Sequence, residues 1–289
     1  MRTALIATVA AVAAAVVVTP SAQAAEFTLI AEHSLPGHTR FAGKTVGGIT
    51  GIDAGADGQF RLITKDRVFT ARVSDCVTVT GVKELRQADG TKFPRSAPQG
   101  VRADNGLLWT DGAVVRESTA NGAFTQQFPA SLAGATLTGL ATTPEGTVLT
   151  ATEAPAAADG TATRLTLHDR ATGELLVQFG YVADAPVAEI LHVADSRFLV
   201  LEGKKLFEID FATGATNIAG VDALAGQDYQ PVAKTQVLDL TALGKKVDDV
   251  QGVSWGAPLA DGARTLVFVT DNGLSLFKRT QFLVVRAAV

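Results

Sequence analysis

Five times along this chain a short apolar strand, usually carrying a glycine, is followed by a turn and a second, more apolar strand. The first members are GGITGID (47–53), PQGVRAD (98–104), LTGLATT (137–143), VAEILHV (187–193) and VQGVSWG (250–256). The second members are RLITKD, LLWTD, TVLTATE, FLVLE and TLVFVTD. One or two amphipathic strands then complete each unit, for example VFTARV with VTVTGVKEL, or RLTLHD with LLVQFGYV. Four-strand units repeating every ~40–60 residues restrict an all-β chain to a β-propeller. A β-sandwich does not call for glycine at the same point of every unit. Five blades fit the count best, and the long 203–247 stretch leaves room for a sixth. The last unit has only three strands, while the chain opens with an unassigned strand, FTLIAEHSL. The N-terminal strand is therefore expected to complete the last blade and close the ring, removing exposed sheet edges.

The segment before that strand has a different character. Residues 1–24 carry one charge, Arg2, then an uncharged apolar run, and end in Ala22-Gln23-Ala24. This is the pattern of a secretory signal peptide cleaved before Ala25, which leaves 25–289 as a single exported domain. No other run is long and apolar enough for a membrane span. Without Arg2 the acids outnumber the bases, and no basic block occurs, which argues against nucleic acid as a partner. Cys76 is the only cysteine, so an intramolecular disulfide is excluded, and it reads as a small buried hydrophobe. The four histidines are scattered without zinc spacing. Nothing in the sequence fixes the oligomeric state.

Chemistry is suggested by the strand ends. All five second strands terminate in an acid: Asp66, Asp111, Glu153, Glu202 and Asp271. Strand two runs antiparallel to strand one, so these acids lie beside the starts of the first strands, around one mouth of a propeller channel. Matched blade by blade, the neighbours are Thr50 with Asp66, Gln99 with Asp111, Thr138 with Glu153, Glu189 with Glu202, and Gln251 with Asp271. Only the fourth pairing offers two carboxylates. Such a pair suits acid–base work or a hard cation such as calcium, with Glu189, Glu202 and Asp271 as the expected ligands. Arg67 and Arg102 are the cations that would hold an anionic group. The plainer reading is that acids end strands well by accepting bonds from turn amides.

Gly252-Val253-Ser254-Trp255-Gly256 fits the G-x-S-x-G pattern of serine hydrolases. That motif needs a helix directly after the serine, whereas here Ala257-Pro258 and another strand follow. No histidine lies downstream of Ser254 to complete a triad. Ser254 is expected to be an inner-strand residue and not a nucleophile.

In order along the chain, GGITGID, LITKDRVFTARV, DGTKFP, PQGVR, LTGLA, TATEAP, VAEILHV, FLVLE, KLFEID, PVAKTQVLDL, VQGV and FVTDNG resemble the "esterase-like activity of phytase" family. The resemblance implies a secreted propeller with ester or phosphoester hydrolase activity, assisted by calcium. It also implies acid–glycine pairs at three first strands. Here those positions read Pro98-Gln99-Gly100, Thr138-Gly139 and Gln251-Gly252. An amide keeps the shape of a glutamate but neither its charge nor its capacity to take a proton. Two functions follow: a hydrolase using the remaining acids, with Glu189, Glu202 and Arg102 as its catalytic set, or a non-catalytic propeller that binds a ligand or protein partner. The rim residues Asp66, Arg67, Asp111, Glu153, Asp271, Gln99 and Gln251 would contact a small ester in the first case.

Overall fold

The computed structural model describes residues 27–93, 96–129 and 135–287. The signal-peptide expectation for residues 1–24 lies outside them. Five four-stranded antiparallel sheets account for nearly all the regular structure. Their inner strands are Gly51–Ala54, Pro98–Arg102, Leu137–Thr142, Val187–Ala194 and Asp249–Trp255. Each inner strand touches the inner strands of two other blades, in cyclic order. The second strands, Phe60–Thr64, Leu107–Asp111, Thr147–Thr152, Arg197–Glu202 and Arg264–Asp271, are the most buried, as their continuous apolar runs require. In the fifth sheet the order from outside inward is Thr28–Leu35, Thr280–Ala287, Arg264–Asp271, Asp249–Trp255.

The glycine repeat has a steric cause. A Cβ at Gly51 would lie 2.5 Å from the Gln99 carbonyl oxygen, and one at Gly100 would lie 2.6 Å from that of Thr138. At Gly139 it would meet Ile190 Cγ1 at 2.7 Å, and at Gly252 the Ile52 amide at 3.0 Å. At Gly51, Gly100 and Gly252 the backbone of the neighbouring blade approaches so closely that a side chain there would clash with it. Threonine hydroxyls at the preceding position tie neighbouring blades: Thr50 donates to the Pro98 carbonyl at 2.7 Å, and Thr138 donates to that of Val187.

The 203–247 stretch does not form a sixth blade. It supplies the two outer strands of the fourth, Lys205–Asp210 and Lys234–Asp239, joined by an excursion that packs on the third blade. Ile218 and Leu224 bury against Ala162, and the Tyr229 ring lies where a side chain at Gly180 would be. A buried ion pair anchors it: Arg164 donates to both oxygens of Asp159, at 2.6 and 2.8 Å, and to the Val221 carbonyl at 2.8 Å. Cys76 is exposed, contrary to its reading as a core residue, because it sits in the turn between Arg67–Val73 and Val77–Glu84.

Candidate functional site

Register overturns one element of the blade-by-blade alignment. A bulge in the third, fourth and fifth inner strands leaves Thr138, Ala188 and Gln251 unpaired, after which Gly139, Glu189 and Gly252 pair with Ala151, Leu201 and Val269. Glu189 therefore does not share the slot of Gln99, Thr138 and Gln251; Ala188 does. Glu189 occupies the glycine slot, where the other four blades have no side chain. Its carboxylate uses the room they leave, lying close to the space a Cβ at Gly100 would take.

That carboxylate is fully buried. Oε1 accepts from the Leu140 and Ile190 amides, both at 3.0 Å, and lies 3.1 Å from Arg102 Nη2. Arg102, also buried, donates to the carbonyls of Val101 at 2.6 Å, Ile52 at 3.3 Å, and Ile190. It lies 3.6 Å from Asp53 Oδ1, so one guanidinium links three blades across the channel. Burial pushes the Glu189 carboxyl up to about 8, against the lowering effect of Arg102 and the two amides. Burial likewise raises Asp53, against Arg102 and the donors Ala103, Ser254 and Ala54. Among the described residues, Glu189 Oε2 and Arg102 Nε have no hydrogen-bond partner.

Asp53, Arg102 and Ser254 each stand two residues beyond their glycine, on the same strand face, and this is the periodicity that marks them as a group. Ser254 Oγ accepts from the Ala54 amide at 2.9 Å and lies 3.1 Å from Asp53 Oδ1. No helix follows it, and no imidazole bonds to it, so it is a linker between the first and fifth blades.

Above this cluster, where the inner strands end, a cavity of about 450 Å³ opens. Asp53, Arg102, Thr143, His192, Ser254, Trp255 and Arg264 line it. Trp255 is held by its indole N–H, which donates to the His192 carbonyl at 2.8 Å. The Arg264 guanidinium lies 3.3 Å above the Trp255 ring centre. Among the ion pairs of the described residues none involves Arg264, whereas its neighbour across the mouth, Asp104, is already paired with Arg170 at 2.6 Å. A half-buried cation backed by an aromatic face keeps its charge available to an anion. His192, Trp255, Arg264 and Asp53 escaped the sequence reading, which looked to the opposite end of the inner strands.

At that opposite end the acids are dispersed among separate partners. Asp66 pairs with Arg67 at 2.6 Å, which holds its carboxyl below the usual range. Asp111 pairs with Arg116 at 2.9 Å and accepts from the Ala97 amide. Asp271 accepts from the Gly273 amide, and burial raises it. Glu153 is exposed, and Gln99 and Gln251 are half-buried. Glu202 is sealed: Tyr181 and the Asp184 amide donate to it, and Lys234 Nζ lies 2.9 and 3.0 Å from its two oxygens. Glu189 and Glu202 share no partner, and Val187, not Glu189, pairs with Glu202. Among the described residues no three His, Cys, Asp or Glu side chains gather where they could hold a metal ion. The expected calcium ligands Glu189, Glu202 and Asp271 thus do not fit one cation.

The family model described as phytase-like, "esterase-like activity of phytase", matches residues 44–274. No curated protein matches the chain. Among solved structures, a catalytically inactive virginiamycin B lyase from Staphylococcus aureus, solved with quinupristin, is 14% identical with a TM-score of 0.42; the match covers 81% of this chain and 65% of the lyase. A chain of a nidogen/laminin complex is 11% identical, with a TM-score of 0.45, over 84% of this chain and 86% of that one. A WD40 domain from Neurospora crassa is 9% identical, with a TM-score of 0.42, over 92% and 96%. Identities and scores this low say nothing of activity. The family match is of another kind: it runs through all five inner strands, and the chain belongs to the phytase-like family.

Proposed function

We propose that this propeller is a hydrolase-type protein that receives a small ester or phosphoester at the channel mouth, not at the acidic rim. The observation that carries this reading is Arg264, a cation without an acid partner inside a formed cavity. Arg264 and the edge of Arg102 hold the anionic part of the ligand. Asp53 is the carboxylate placed to take a proton from an attacking water, since burial raises its basicity. Hydrolysis then consumes one water and yields the acid and the alcohol. We further propose that residues 1–24 direct export, which N-terminal sequencing of the secreted protein would test.

The second reading, ligand binding without turnover, is favoured by a specific observation. The three slots where the family resemblance implies an acid are uncharged here, and both fourth-blade glutamates are closed off from solvent. The experiment is hydrolysis of a chromogenic acetate ester and a chromogenic phosphate ester by the purified protein, with calcium and with a chelator. Turnover should fall at least ~10-fold in Asp53→Asn and survive Glu202→Gln in protein shown to be folded. Loss of turnover in folded Glu202→Gln would return the site to the rim. A folded protein without turnover on either ester supports binding alone.

A further inference from the structure

A second cavity, of about 410 Å³, opens between the third and fourth blades. Leu167, Val177, Phe179, Phe198 and Phe211 form its walls. Phe179 and Phe211 stack with centres 4.7 Å apart, and Phe198 lies 5.2 Å from Phe211. Two features join this cleft to the channel mouth. Thr143 lines both cavities, and the ring of His192, in the wall of the mouth, lies 5.1 Å from that of Phe198. Both cavities open at the same end of the propeller, beside the turns that follow the inner strands.

We propose that the two cavities form one site for an amphipathic anion, with its carboxylate or phosphate head against Arg264 and an aryl or acyl tail in the aromatic cleft. The inference rests on the mouth being the ligand site, as above. Pockets of this size that are apolar, with polar groups converging at one side, are built for ligands of this shape. The charges fix the direction of entry. Glu145 and Asp195 line the cleft, and the Thr143 hydroxyl holds Glu145 below the usual carboxylate range, so it remains ionised. A head group there would meet like charge, whereas at the mouth it meets Arg264. A ligand charged at both ends is therefore disfavoured, and the substrate class narrows to esters of aryl or medium-chain acids carrying one anionic group.

The chain supplies its own reporter. Of its two tryptophans, Trp255 lies in the mouth and Trp109 is fully buried in the second blade. The experiment titrates the wild-type protein with acetate, butyrate, hexanoate and 4-phenylbutyrate, following tryptophan fluorescence. Affinity should rise about three- to four-fold per methylene added. Over its four extra methylenes hexanoate should bind about 80- to 250-fold more tightly than acetate, and phenylbutyrate at least ~10-fold more tightly. Val177→Thr, which keeps the shape of the cleft wall and adds a hydroxyl, should remove much of that gain. Equal affinity along the series would overturn the joined site while leaving the mouth reading intact. Absence of any response to all four acids would remove both. Hexylamine binding as tightly as hexanoate would overturn the assignment of the head to Arg264.

Discussion

Replacing Glu189 with glutamine tests the physical account of the channel. Burial raises this carboxyl from an ordinary 4.5 to about 8, so the folded chain holds a proton that the unfolded chain releases. The stabilising contribution is complete below pH 4.5 and is lost as pH rises towards 8. Each pH unit inside that window costs about 1.4 kcal/mol, or about 4 kcal/mol between pH 5 and 8. Glutamine is neutral throughout and keeps an oxygen for the Leu140 and Ile190 amides. At pH 5 the Glu189→Gln protein should therefore lie within about 1 kcal/mol of wild type. By pH 8 it should be the more stable of the two by about 4 kcal/mol. Asp271 is also raised by burial, but it is common to both proteins and cancels in the difference; Asp53, whose charge adds to the upward push on Glu189, is coupled to it, and the difference reads the two together. Urea unfolding at half-unit pH steps measures it. A variant that weakens steadily relative to wild type as pH rises would refute the reasoning. It would show an ionised Glu189 whose pairing with Arg102 outweighs its desolvation.

Gly100→Ala should cost about 1–3 kcal/mol or more, since the added methyl meets a backbone carbonyl and not a side-chain end that can turn away; thermal unfolding would show it, and an unchanged midpoint would contradict the close approach of the blades. Arg164→Met breaks the buried pair with Asp159 and should cost about 3–5 kcal/mol. Its effect should include earlier proteolysis within 211–233, the excursion that the pair anchors. Phe277 is 98% exposed, so Phe277→Ser should change stability by no more than ~0.5 kcal/mol.

The blades were legible because alternation and turn residues are local signals, repeated five times. The fourth inner strand was misaligned by one residue for a physical reason. An acid at Glu189 imitates the acid of an acid–glycine pair, and the missing glycine removes the only marker of register. A bulge then hides the slip, because the strand resumes its pairing beyond it. The mouth was harder to see. Polar residues two positions past glycine (Asp53, Arg102 and Ser254) do announce a common face, but periodicity cannot say which end of a channel is open. Glu202 with Lys234, and Arg164 with the Val221 carbonyl, are contacts across long stretches of chain, which no single-strand pattern encodes.

A ring of similar blades has no natural starting point; rotated by one step, its glycine positions would nearly coincide. Glu189 gives the ring a zero mark. Four positions hold hydrogen and the fifth holds a buried carboxyl, so the packing at the centre of the ring is lopsided. The same substitution made in two blades is then not one experiment repeated. Its outcome depends on how many steps it stands from that mark, and a chain with its blades shuffled would be a different receptor.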